Sequence, residues 1–243
     1  MSLVIVLIFS TVMSPYRLAF VEEDDTKWKI INAVVDGLFT ADILIVFNSA
    51  YYDEDYKIVE NRKIIAKNYL KGWFAIDFGA VIPFEFIFGS IGTYNGLIKI
   101  ARIGRLYKLL KLTRMLRIFK FLKQKNKMFK FVNKYLKISA GFERIFLFLC
   151  GFFLVCHVVG CIWVLLAKLE DDTTVDSWLT SYEDLDTNAI YLTSFYFTVT
   201  TITTVGYGDI SGATKSEKIF CILIMVIGVI AFSFASGSLA SVI

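Results

Sequence analysis

Thr203-Thr204-Val205-Gly206-Tyr207-Gly208-Asp209, set between an aromatic, Thr-rich segment and a long apolar one, decides how the rest of the chain is read. A row of main-chain carbonyls facing one way needs alternating backbone dihedrals, which Gly206 and Gly208 adopt without steric cost. Four copies of a Thr-Val-Gly-Tyr-Gly loop around one axis are the standard illustration of oxygens that replace the water of a dehydrated cation. The Thr204 hydroxyl adds an oxygen at the inner mouth. A bare Gly-Tyr-Gly would mark an ordinary turn; specificity comes from the full string, from Asp209 after it, and from membrane-length segments on both sides.

Hydrophobic residues make up 56% of the 243, only two are proline, and the mean hydropathy is +0.62. Such a chain faces lipid as well as a protein core. Apolar segments of about 20 residues, enough to span a bilayer, lie roughly at 1 to 20, 29 to 50, 73 to 91, 142 to 167 and 215 to 243. A sixth helix, at about 96 to 123, is striped with charge. The opening segment has neither a cationic start nor a small-residue cleavage site, so it reads as a span. At the other end the chain stops at Ile243 without a polar cytoplasmic tail, as expected of the membrane part of a longer protein.

Lys and Arg concentrate in short cytoplasmic loops. Lys57, Arg62, Lys63, Lys67 and Lys71 form one basic connection, and Lys125, Lys127, Lys130, Lys134 and Lys137 another. The alternate connections are acidic, with Glu22 to Asp25 in one and Glu170, Asp171, Asp172, Asp176, Glu183, Asp184 and Asp186 in the other. Six crossings with both ends inside satisfy this alternation. The net charge of +4 averages two oppositely charged surfaces and gives no reason to expect nucleic acid as a partner. Cys150, Cys156, Cys161 and Cys221 fall inside spans, where Cys acts as a small apolar residue. Their spacing fits no zinc pattern, and the single His157 is expected to bond between helices rather than to bind a metal.

In the fourth helix Lys99, Arg102, Arg105, Lys108, Lys111, Arg114, Arg117 and Lys120 recur at every third residue, followed by Lys123, with mostly apolar pairs between them. A basic helix lying on a membrane surface would instead gather its charges on one face with a period near 3.6. Intramembrane Lys and Arg cost about 2.5 to 3.5 kcal/mol each on insertion scales, so they imply acidic partners. Asp36 and Asp42 stand roughly 9 Å apart along the second helix, and Asp77 and Glu85 roughly 12 Å apart along the third. With these helices antiparallel, Asp42 and Asp77 form an inner tier of counter-charge and Asp36 and Glu85 an outer one. Phe39 plugs the gap between the tiers. A charge crossing the field gains about 2.3 kcal/mol per 100 mV, so three per subunit in four subunits couple roughly 28 kcal/mol to a gate.

Beyond Lys123 an amphipathic basic connector should lie along the inner surface and transmit movement to the pore helices. The segment from Ala189 to Thr201 is too short to cross a bilayer and reads as a re-entrant helix, its negative dipole end favouring a cation. Non-helical backbone at that depth is tolerated where it lines an ion path. In the last span Gly228 reads as a gate hinge, ahead of a run of small residues from Ala231 to Ser241 that equally permits close helix crossing.

The whole chain resembles the voltage-gated-like potassium channel superfamily, in the branch of ether-à-go-go, hyperpolarisation-activated, cyclic-nucleotide-gated and plant inward-rectifying channels. The resemblance rests on Pro15-Tyr16-Arg17-Leu18-Ala19-Phe20, on Asp36, Phe39 and Asp42, on Ile76-Asp77 with Ile82-Pro83-Phe84-Glu85, and on His157, Cys161 and Trp163. It implies an all-α membrane protein with six transmembrane helices and a re-entrant pore loop, assembled as a homotetramer or heterotetramer with related subunits. The domains would be a four-helix voltage sensor (1–123), a connector (124–141) and a two-helix pore domain (142–243). K+ ions would occupy Thr204, Val205, Gly206 and Tyr207, with no organic cofactor in this segment. The plasma membrane is the expected location, and cyclic nucleotide would act only through a C-terminal domain outside this chain. Thr203-Thr204-Val205 looks like the potassium-selective members. Many potassium channels carry paired Trp where Tyr196 and Phe197 stand, and Tyr196 keeps a donor for Asp209.

These features point to a voltage-gated potassium-selective channel subunit that catalyses no reaction. A poorly selective cation channel of the same fold is one alternative, and a non-conducting modulatory subunit of a heterotetramer is another.

Overall fold

The computed structural model describes residues 2–21, 26–52, 57–81, 140–170 and 176–240. Helices dominate them: α1 (Ser2–Phe20), α2 (Thr26–Asn48), α3 (Arg62–Lys71), α4 (Phe74–Gly79), α5 (Ala140–Leu169), α6 (Thr187–Ile202) and α7 (Lys215–Ala240). The fourth-helix charges from Lys99 to Lys120, Glu85 and the connector up to residue 139 lie outside the described residues. Among those described, three stretches are long and apolar enough to cross a membrane: Thr26–Asn48, Phe148–Leu169 and Lys215–Ser233. Ile5–Phe20 is apolar but shorter.

The chain divides into two compact units, Met1–Ser14 with Glu23–Met128 and Pro15–Glu22 with Phe129–Ile243. In the first, α2 buries Val35, Phe39 and Ile43, one residue per turn. Much of its remaining surface is apolar yet exposed, Ile30, Val34, Leu44 and Ile45 each at 57% or more. A helix with that much exposed apolar surface beyond its buried stripe belongs in lipid or against another apolar partner. Phe39 packs with Leu7 and Val35, flanked by Val6 and Val81. Hydroxyls in such helices must find acceptors on their own backbone. Accordingly Thr11 donates to the Leu7 carbonyl at 2.7 Å and Thr40 to the Asp36 carbonyl at 2.8 Å.

Between α2 and α3 a two-residue ribbon pairs β1 (Tyr51–Tyr52) with β2 (Ile58–Val59), Tyr51 opposite Val59 and Tyr52 opposite Ile58. Sequence reading expects only a loop there; aromatic and β-branched residues suit a pleated pair. α3 begins where the Asn61 side chain accepts from the Lys63 amide at 3.0 Å, satisfying one of the helix's four orphan donors. It ends at Gly72, whose N–H reaches the Asn68 and Tyr69 carbonyls.

The second unit is built around α6, which packs on both α5 and α7. Asp186 caps α6, its Oδ1 accepting from the Ala189 amide at 3.2 Å. Trp163 of α5 is fully buried and stacks on Phe197 of α6 (4.7 Å, 17°), Phe220 of α7 (5.8 Å, 9°) and Trp178 (5.4 Å, 10°) of the 3₁₀ turn Trp178–Tyr182. Near-parallel rings at these spacings add about 0.5 to 1.5 kcal/mol per pair beyond area burial. One side chain thereby clamps three elements around α6.

Candidate functional site

The string Thr203–Asp209 leaves the carboxyl end of α6. Its amides turn back on that helix: Thr204 donates to the Thr201 carbonyl at 3.1 Å, and Val205 and Gly206 both to the Thr200 carbonyl, at 3.0 and 3.1 Å. Across trans peptides each carbonyl lies opposite the following N–H, and no peptide in the described chain is cis. The carbonyls of Thr203, Thr204 and Val205 therefore point away from α6, together. No described donor bonds to the carbonyls of Thr204 through Tyr207.

Every second residue of the string is left-handed, with φ of 63° at Thr204, 55° at Gly206 and 79° at Gly208. The two glycines adopt this freely. Thr204 does not, and a β-branched residue in that region costs on the order of 1–3 kcal/mol, persisting only when its surroundings over-determine it. The bonds to Thr200 and Thr201 supply that constraint. Sequence reading assigns Thr204 a hydroxyl role and misses its backbone conformation, for which Thr itself gives no signal.

Behind the string, Tyr196 donates to Asp209 Oδ2 at 2.9 Å, and its ring lies parallel to that of Tyr207 at 6.4 Å and 4°. One α6 side chain thus ties the two ends of the Tyr207–Asp209 segment. On the other side of α6, His157 Nδ1 meets the Tyr191 hydroxyl at 2.9 Å, the expected helix-to-helix hydrogen bond. Tyr191 also receives Tyr16 and Phe20 edge-on, at 5.6 and 5.8 Å, both from the part of α1 that belongs to this unit.

Glu217 escaped the sequence reading. It is fully buried at the start of α7, where its carboxylate accepts from Ser177 Oγ at 2.7 Å and from the Ala213 and Thr214 amides at 2.8 and 3.1 Å. The Trp178 amide approaches both oxygens at 3.4 Å. The Glu217 amide in turn donates to Thr214 Oγ1 at 3.2 Å. This is a capping box extended to a second element, joining the 3₁₀ turn to α7 just after the Thr203–Asp209 string. The sequence signal was Thr214-Lys215-Ser216-Glu217.

Gly228 lies within unbroken α7 helix, and a Cβ there would stand 3.1 Å from Ile202 Cα. Whatever its mobility, the position admits no side chain without moving α6.

In the first unit Asp36 and Asp42 are half-buried, whereas Phe39 and Asp77 are buried. Asp77 Oδ2 accepts from the Tyr69 hydroxyl at 2.7 Å. Burial first, then the Asp77 hydrogen bond and charge, then the Asp42 charge, push the Tyr69 phenol's pKa well up. The Tyr69 ring is held edge-on by Phe47 (4.9 Å) and Phe74 (5.7 Å). Tyr69 too was missed, because an aromatic among lysines reads as loop.

Residues 1–241 match the family model described as "Ion transport protein". The chain is similar to the voltage-gated inwardly rectifying potassium channel KCNH7 of Mus musculus, 31% identical over 99% of this chain and 21% of the relative. It is likewise similar to KCNH2 of Cavia porcellus, 29% identical over 99% of this chain and 19% of that protein. KCNH6 of Homo sapiens is 28% identical over 99% of this chain and 26% of its own length. The chain spans about a fifth to a quarter of the curated relatives it matches.

Proposed function

Because the chain belongs to the ion transport protein family, we propose that it is a voltage-gated, potassium-selective channel subunit. The observation that carries the reading is the left-handed alternation at Thr204, Gly206 and Gly208, with the amides bonded back to α6 and the carbonyls left to the other side. Four such strands around an axis replace the hydration of K+ at Thr204, Val205, Gly206 and Tyr207. K+ is the transported substrate and is not consumed.

In this reading residues 1–123 form a four-helix voltage sensor, 124–141 the connector and 142–243 the pore domain, giving six spans and a re-entrant loop in a multi-pass plasma-membrane protein with both ends cytoplasmic. Lys99 to Lys120 carry the gating charge past Asp36, Asp42, Asp77 and Glu85, with Phe39 as the plug. Gly228 is the hinge of the gate. The subunits assemble as a tetramer, and any cyclic nucleotide acts through a domain beyond this segment. The apolar exposure of α7 in the single chain, with Ile219, Ile222 and Ile227 each 60% or more exposed, supports neighbours of lipid or protein on that helix.

Expression of this chain alone in oocytes, with voltage steps of both signs in high external potassium, is expected to give a voltage-dependent current. Current that appears only with a co-expressed relative would favour the modulatory-subunit alternative.

A further inference from the structure

The bond between Tyr69 and Asp77 crosses from α3 to α4 and joins two side chains that are 7% and 1% exposed. Its donor lies in the basic connection that precedes the third apolar stretch. Its acceptor is the residue that the functional reading makes the inner counter-charge. The phenol keeps its proton throughout the physiological range, since its pKa is pushed upward. It is therefore a permanent neutral donor. Phe47 and Phe74 fix the ring on two sides, so the hydroxyl is placed by packing and does not follow Asp77 as a free side chain would.

A donor on a carboxylate oxygen draws off part of its negative charge and competes with any cation that approaches. We propose that Tyr69 is a positioning residue of the voltage sensor, its hydroxyl holding Asp77 in place and setting how strongly that carboxylate attracts each basic side chain passing it. The inference rests on the proposed voltage-sensing function. It makes α3 part of the sensor's energetics and not a passive loop.

The test is the conductance–voltage relation and the gating current of channels in oocytes. Tyr69→Phe keeps the ring between Phe47 and Phe74 and removes only the hydroxyl. It is expected to displace the midpoint by up to about 30 mV, the limit reached when the energy of one charge-assisted hydrogen bond per sensor is lost from only one of the two sensor positions and about three charges move. Ring-fluorinated tyrosines, inserted at position 69 by nonsense suppression, have nearly the same shape and are stronger donors. They are expected to displace the midpoint in the opposite direction, by amounts that rise with phenol acidity. This graded response is one that a purely space-filling role would not give, and it decides the matter even if the Phe channel fails to reach the surface. A wild type that gates with voltage while every position-69 variant stays within about 5 mV of it, a small fraction of that shift, would overturn the inference alone. So would displacement of the Phe and fluorinated variants in the same direction. A wild type with no voltage-dependent current would remove the functional reading, and this inference with it.

Discussion

Replacing Glu217 by Gln keeps the size of the side chain and removes the charge that gathers the 3₁₀ turn and the start of α7. In the native site one oxygen accepts from Ala213 and Thr214 amides at 2.8 and 3.1 Å, and the other from Ser177 Oγ at 2.7 Å. Gln offers one oxygen. Its NH2 must face either the two amides or the hydroxyl; the hydroxyl can turn and accept, so the amides keep the oxygen at neutral strength. Three hydrogen bonds to a charged acceptor, each contributing about 1.5–3 kcal/mol, become bonds to a neutral one of about 0.5–1.5. The difference is roughly 3 kcal/mol per subunit. For a domain of this size that lowers an apparent unfolding midpoint by about 6 to 12 °C.

The assay is thermal challenge of the detergent-solubilised protein followed by size-exclusion fluorescence. Ser177→Ala deletes both the hydroxyl's bond to the carboxylate and the cap it offers the Leu179 amide at 3.2 Å, and should lower the midpoint by a comparable amount although both amides stay paired with Glu217. A Glu217→Gln protein that melts within about 2 °C of wild type, less than the effect of one lost kcal/mol, would refute the view that this carboxylate holds the 3₁₀ turn and the start of α7 together.

Neutralising Arg105 or Lys108 is expected to flatten the conductance–voltage curve, each charge accounting for about 2.3 kcal/mol per 100 mV; an unchanged slope would count against the charged helix as the sensor. Tyr196→Phe keeps the stack on Tyr207 and deletes the bond to Asp209. Faster decay of current during sustained opening should follow, and decay at the wild-type rate would show that the bond does not steady the filter. Gly228→Ala brings a Cβ to 3.1 Å from Ile202 Cα. Reduced thermal stability, by about 1 to 3 kcal/mol for overpacking, is expected together with altered gating; altered gating at full stability would favour the hinge over the close approach.

What could be read from residues and what could not divide along physical lines. The α6 helix was expected from Ala189 to Thr201 and runs from Thr187 to Ile202, because aromatic and Thr-rich periodicity ahead of two glycines leaves a helix few places to begin or end. The His157 hydrogen bond was legible because a polar group in an apolar helix must find a partner, and the Tyr196–Asp209 bond because the family resemblance places a donor at position 196. Glu217 was not, since an acidic residue in the first turn of a helix usually faces water and its burial depends on the distant Ser177 and Trp178. Tyr69 likewise needed the three-dimensional meeting of α3 with α4. The strain at Thr204 is set by hydrogen bonds to the preceding helix, which no property of threonine announces. Among the described residues three stretches qualify as spans, where residue patterning calls for six. Ile5–Phe20 falls short in length, and most of the third and all of the charged fourth helix fall outside the described residues.

The central claim is that the backbone oxygens of this string select K+, and the reversal potential of the current tests it most directly. With external potassium exchanged for sodium, the account predicts a shift of about 59 mV for each tenfold change in potassium, lost when Gly206→Ala removes the residue best suited to φ of 55°. A reversal potential that ignores the exchange, or full selectivity in the Gly206→Ala channel, would contradict it.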